Sequence, residues 1–196
     1  MRRSLLPLAL VLGLAARTAA GTVLISEIDY DQPGADEAEF IELHNPDGAA
    51  ASLDGHVLEL VNGADGSVYR SAALDGLTIA AGGFLVLCGN PARVPTCDLD
   101  IGPATHLIQN GPDAARLVAA GLVLDAVAWE GVVAGLASIG SDDPAVADLA
   151  LARIPAAGGP FRPTRATPGG APLPLPPPWA LLATGLLLMP RARDRG

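Results

Sequence analysis

Lysine is missing from this chain: all twelve basic residues among its 196 are arginine. Six lie at the ends, Arg2, Arg3 and Arg17 in front and Arg191, Arg193 and Arg195 behind. Residues 21–175 set six arginines against twenty carboxylates, about −14 (six minus twenty), where the whole chain carries −9. A nucleic-acid binder needs a basic footprint that releases counterions, so this charge balance excludes that partner. It suits solubility, cations or basic partners. Aromatic residues are scarce at 4%, which leaves few platforms for stacking sugars and a core made from Val, Leu, Ile and Ala. The hydrophobic half of the sequence suffices for one ordinary domain with appendages.

Catalytic signatures are missing too. No G-x-S-x-G elbow occurs, and Ser138 in G-L-A-S-I-G lacks its spacing. Neither H-E-x-x-H, a phosphate-cradling P-loop nor a dinucleotide glycine fingerprint is present. The three histidines, His44, His56 and His106, fall on or beside expected strands. A triad is defined by geometry and not by chain order, so sequence alone leaves it open. The expectation is a protein that is not an enzyme, with a small metal-dependent hydrolase as the remote alternative.

No stretch of the middle shows a sustained helical period with caps. Short β-rich runs recur instead, at 22–29, 38–44, 56–62, 67–74, 83–88, 105–109, 114–119, 122–129 and 149–154, separated by Gly, Pro, Asn and Asp. Many strands so spaced indicate an all-β sandwich or barrel. Asn62-Gly63 and Asp65-Gly66 predict a hairpin joining 56–62 to 67–74. In A-E-F-I-E-L-H-N, Ile41 and Leu43 alternate with Phe40, Glu42 and His44, as in an antiparallel strand with one wet face.

The two ends read as addresses. Arg2 and Arg3 precede the apolar run Leu5–Ala16, and Thr18 and Ala20 supply small residues before a cleavage point, so residues 1–20 form a signal peptide. A buried amphipathic helix is the alternative, but no polar face recurs at helical spacing. Residues 158–178, dominated by Pro, Gly, Ala and Thr, read as an extended linker. Residues 179–196 follow: W-A-L-L-A-T-G-L-L-L-M, then Pro190 and the arginines, a hydrophobic anchor helix with a cationic end. Its eleven apolar residues fall short of the roughly twenty that span a bilayer comfortably.

The order of proline motif, apolar stretch and arginine end resembles a PEP-CTERM type sorting signal of the Pro-Leu-Pro variety. The motif would be Pro172, Leu173 and Pro174, or the overlapping Pro174–Pro176. That resemblance implies a Gram-negative envelope, anchorage in the inner membrane and an exosortase-type processing enzyme, with release to the surface after cleavage. The usual Glu between the prolines is missing, and Asp194 interrupts the arginines.

A second resemblance covers residues 22–131. V-L-I-S-E-I-D-Y-D-Q-P-G-A-D-E-A-E-F-I-E-L-H-N-P is similar to the opening of a bacterial lamin-tail domain. A-A-G-G-F-L-V-L-C-G-N, L-I-Q-N-G-P-D-A and V-L-D-A-V-A-W-E-G resemble its later strands, in order. It implies an immunoglobulin-like β-sandwich, here over residues 21–157. It also implies a structural or interaction module for a protein or extracellular matrix partner.

Cys88 and Cys97 are the only cysteines. In an exported chain an even count implies a disulfide, and two cysteines allow one pairing. Eight intervening residues are wrong for a thioredoxin-like pair, and no His stands near enough in sequence to complete a zinc set. Glu27, Asp29, Asp31, Asp36, Glu37, Glu39 and Glu42 crowd into sixteen residues with no basic residue among them. Such a cluster needs water, amides or a cation to relieve its repulsion. Asp29, Asp31, Asp36, Glu37 and Glu39 are the candidate ligands for Ca²⁺, which takes six to eight oxygens from a flexible loop, and the alternative function is a Ca²⁺-dependent binding module whose 29–39 loop the ion orders. D-Y-D-Q-P-G begins like an EF-hand loop, but Pro33 and Phe40 occupy ligand positions. The plainer reading is a solvated turn, with Glu27 and Glu42 satisfied by backbone amides or by the strand exterior.

Overall fold

A strict alternation over L-I-S-E-I-D would send Ile25 and Ile28 to opposite faces. They nevertheless share one core, because β1 (Leu24–Asp29) carries a bulge between Ile25 and Glu27 against β2 (Phe40–His44). The extra residue shifts the register by one and returns both isoleucines to the inside. Glu27, Asp29, Phe40 and Glu42 consequently share the outer face. The computed structural model describes residues 22–146 and 148–173.

Ten further strands follow: β3 (Ala51–Ser52), β4 (His56–Asn62), β5 (Val68–Ala73), β6 (Thr78–Ile79) and β7 (Phe84–Cys88), then β8 (Leu99–Asp100), β9 (Asp113–Ala119), β10 (Leu122–Trp129), β11 (Leu149–Arg153) and β12 (Phe161–Arg165). A six-stranded sheet runs β12-β11-β1-β2-β7-β8 and a four-stranded sheet β10-β9-β4-β5, with β3 and β6 as a separate pair. All pairings are antiparallel except β7 with β8. The described residues form an all-β protein, consistent with an immunoglobulin-like sandwich.

One core joins the two large sheets. Ile25, Ile28, Ile41, Leu43, Leu87 and Leu151 from the larger meet Leu58, Leu60, Leu117, Val127 and Trp129 from the smaller. Asp125 on β10 also crosses between them, accepting from the Ile25 amide at 2.8 Å and pairing with Arg153 at 3.0 Å. Arg153 Nε donates to the Ile25 carbonyl, and its guanidinium lies 4.6 Å from the Phe161 ring centre.

Eight of the nine expected strands lie within two residues of their expected bounds, and the Asn62–Ser67 turn closes the expected hairpin. Residues 105–109 are not a strand. His106 adopts a left-handed φ of 54°, and the Leu107 and Ile108 amides donate to the Glu39 carboxylate and not to a neighbouring strand. The linker expected from 158 is corrected in part as well, since 161–165 form β12 on β11. Pro163 is tolerated there because β12 is an edge strand. Among the described residues no helix is long and apolar enough to cross a membrane. The signal peptide, residues 1–20, and the anchor segment, 179–196, lie outside the described residues.

Candidate functional site

The wet outer face expected for β2 is dry. All five of its residues are buried, Glu42 completely and Phe40 at 1% exposure. Cross-strand register sets Ala152, Glu27, Glu42 and Val86 in one row across the centre of the large sheet. Two carboxyl groups thus stand directly opposite each other, an arrangement that is unfavourable when both are ionised. Two coverings close over them. One is the loop after β7, whose Val94 packs with Phe40, Val86 and Cys88 in a second small core. The other is the strap after β12, residues 166–170.

The strap is held by the acids it covers. Thr167 donates its amide and its hydroxyl to Glu27, at 2.8 and 2.7 Å. The Gly169 amide donates to Glu42 at 2.7 Å, and the Ser26 hydroxyl to the other Glu42 oxygen at 2.8 Å. Burial raises both carboxyls, Glu27 to about 7 and Glu42 to about 8, although these hydrogen bonds pull the other way. Both groups therefore retain protons well above the ordinary carboxylate range.

The five candidate calcium ligands are separated into different bonding tasks. Asp29, 3% exposed, accepts from the Gln32 side chain and is raised to about 8, chiefly by burial. Asp36 accepts from the Gln32 amide at 3.0 Å and lies 3.2 Å from His106 Nδ1. Glu37 pairs with Arg93 at 2.7 Å on the surface. Glu39 binds the Leu107 and Ile108 amides at 2.6 and 2.9 Å and is raised to about 7 by burial. Asp31 is raised by burial and by Asp36 and Glu130 nearby. Among the described residues no group of three or more Asp, Glu, His or Cys side chains is arranged to hold a metal ion. Four of the five acids are instead matched to amides, a glutamine, an arginine and a histidine.

The histidines are likewise dispersed. His44 Nδ1 lies 3.0 Å from the Gly83 carbonyl, its ring stacked on Phe84, while His56 Nδ1 lies 3.2 Å from the Asp54 carbonyl. Ser138 Oγ bonds to Gly140 within its own turn. Cys88 and Cys97 are disulfide-bonded and tie the covering loop to the end of β7. Of the sorting motif, Pro172 is buried and Leu173 is exposed, its carbonyl accepting from the Thr164 hydroxyl. Pro174 lies outside the described residues.

Tyr30 was not singled out by the sequence reading. It is fully buried, its hydroxyl accepting from the Asp142 amide at 2.7 Å and donating to Glu130 at 2.9 Å. Its ring lies 5.5 Å from that of Trp129. Only its place between two acidic turns could have drawn attention to it. The strap was missed because its partners stand 127 and 140 residues away.

Fold and site together define a sandwich module whose buried acids hold its own loops in place. A model of the Lamin Tail Domain family matches residues 16–131, more than half of the chain, and the chain belongs to that family. No curated protein matches it. The matched region ends just after β10, so β11, β12 and the strap are built from sequence beyond it.

Proposed function

We propose that the chain is an exported, non-catalytic interaction module displayed at the cell envelope. Family membership supports the interaction role, and the Cys88–Cys97 disulfide is the observation that carries the address. Disulfides persist in oxidising compartments and are rare in the cytosol. In this reading residues 1–20 direct export and are removed, and the apolar 179–196 segment holds the protein at the inner membrane. An exosortase-type enzyme would then process it near Pro172–Pro174. The covered sandwich offers a protein or matrix partner a rigid surface, and its acidic field disfavours nucleic acid.

The raised carboxyls support a binding module over a hydrolase, because Glu27, Glu39 and Glu42 are each bonded to backbone amides of a distant segment and Asp29 to the Gln32 side chain. Glu27 and Glu42 stand side by side, but the strap covers them and fills their acceptor positions. The test is mass spectrometry of the native protein from fractionated cells. It should show an N terminus near Gly21, an oxidised cysteine pair and an envelope location. An intact residue 1–20 segment with free thiols in the cytoplasmic fraction would refute export.

A further inference from the structure

Beside the strap lies an open cleft of about 280 Å³, near the small end of the range for ligand sites. Four parts of the chain meet there: the β1–β2 end, the disulfide-bonded loop, Asp148 just before β11, and the turn from β12 into the strap. Phe40, Val94 and Pro168 give it apolar walls, and Asp29, Asp148, Arg93 and Arg165 supply its polar groups.

The cleft gathers arginine on a molecule that is otherwise acidic. Of the six arginines among the described residues, Arg116 and Arg153 are engaged by Glu59 and Asp125, and Arg70 is half-buried. Three are exposed, Arg93, Arg162 and Arg165, and two of these line the cleft. Their present partners are weakly placed: Glu37 on Arg93 is itself solvent-accessible, and Asp148 stands 3.7 Å from Arg165 with both side chains mostly exposed. Exposed pairs of this kind yield readily to a competing carboxylate. Asp29, kept neutral at pH 7 by burial, can donate a proton to an incoming oxygen and does not repel it. The two guanidiniums are balanced by Glu37 and Asp148, solvent-accessible partners that a ligand carboxylate can displace.

We propose that this cleft binds a carboxylate-terminated ligand with a short apolar body, either the C-terminal end of a peptide or a small organic acid. Arg93 and Arg165 hold the carboxylate, and Phe40, Val94 and Pro168 enclose the body. The site does not depend on where the protein resides.

Calorimetric titration of the full chain tests it with N-acetyl-alanyl-leucine, the same peptide as its C-terminal amide, and hexanoate. The free acid should bind at one site and the amide about tenfold more weakly, as expected for a charge-assisted contact. Arg93→Gln and Arg165→Gln should each weaken the acid by about three- to tenfold, while Arg162→Gln leaves it unchanged. Hexanoate binding as well as the peptide assigns the site to small acids, and binding much more weakly assigns it to peptide ends. Absence of binding by both acids, equal binding of acid and amide, or an equal loss in Arg162→Gln overturns the proposal. The acid-to-amide comparison uses the unaltered protein, so it stands whatever the variants do.

Discussion

Each large sheet has an outer face with glutamate at its centre, and the two faces solve the same problem in opposite ways. On the four-stranded sheet, Glu59 of β4 stands in register with Arg116 of β9 and the two form a partly exposed ion pair. On the six-stranded sheet, Glu27 of β1 stands in register with Glu42 of β2, like beside like, and both are fully buried. The first pair is neutralised by its neighbour and left in water. The second is tolerated because residues 167–169 arrive from the far end of the chain with donors for both. A glutamate at an outward strand position thus marks the face but not its solvent.

The sharpest contrast should come from truncating one acid on each face. Glu42→Ala strands the Gly169 amide beneath the strap, while the Ser26 hydroxyl keeps the residue 42 carbonyl, and should cost about 2–3 kcal/mol in urea unfolding. Glu59→Ala should cost less than about 1 kcal/mol, as half-exposed pairs do. Equal costs would erase the distinction between the faces. Next in size is the disulfide that fixes the second covering. Replacing Cys88 and Cys97 by serine should lower stability by about 2–3 kcal/mol on the loop-closure account.

pH should act most strongly through the covered face, with Glu39 and Asp142 as further buried acids. Glu27 and Glu42 have folded values of about 7 and 8 against an unfolded 4.5, so between those limits the folded state binds more protons. Their contribution is fully present below about 4.5 and is lost as pH rises through 7 to 8. Asp29 and Glu39 add in the same direction. The urea midpoint should therefore fall from pH 5 to pH 8. The double variant Glu27→Gln with Glu42→Gln should flatten the fall, since an amide group can accept from the backbone and donate to the hydroxyl. A slope unchanged in that variant would place the titration elsewhere. Smallest of all, millimolar calcium should leave the melting temperature unmoved, because the candidate ligands are separated into different bonds. A rise of several degrees would mean the 29–39 turn closes on the ion.

Much of this sandwich is legible in the chain because strand alternation and turn chemistry are local. The Asn62–Ser67 hairpin and the long strands β4, β9 and β10 follow from residues within a few positions of one another. Residues 105–109 misled because Leu107 and Ile108 have the composition of a strand, yet their amides go to Glu39, 68 and 69 positions earlier. The bulge in β1 was hidden because one inserted residue leaves composition unaltered. β3, β6 and β8 have two residues each, too few to show a period. In 158–173 the proline-rich composition concealed an edge strand and a strap whose bonding partners lie at the other end of the domain. The acidic cluster was visible as a cluster. Its meaning was not, because adjacency in sequence says nothing about which amides each carboxyl will meet.

Amide hydrogen exchange at Thr167 and Gly169 tests the covered face most directly. Both should be protected to the level of the β1–β2 ladder, opening only when the domain itself unfolds. Exchange at the rate of a free chain, with that ladder still protected, would show the strap undocked and the two glutamates facing water.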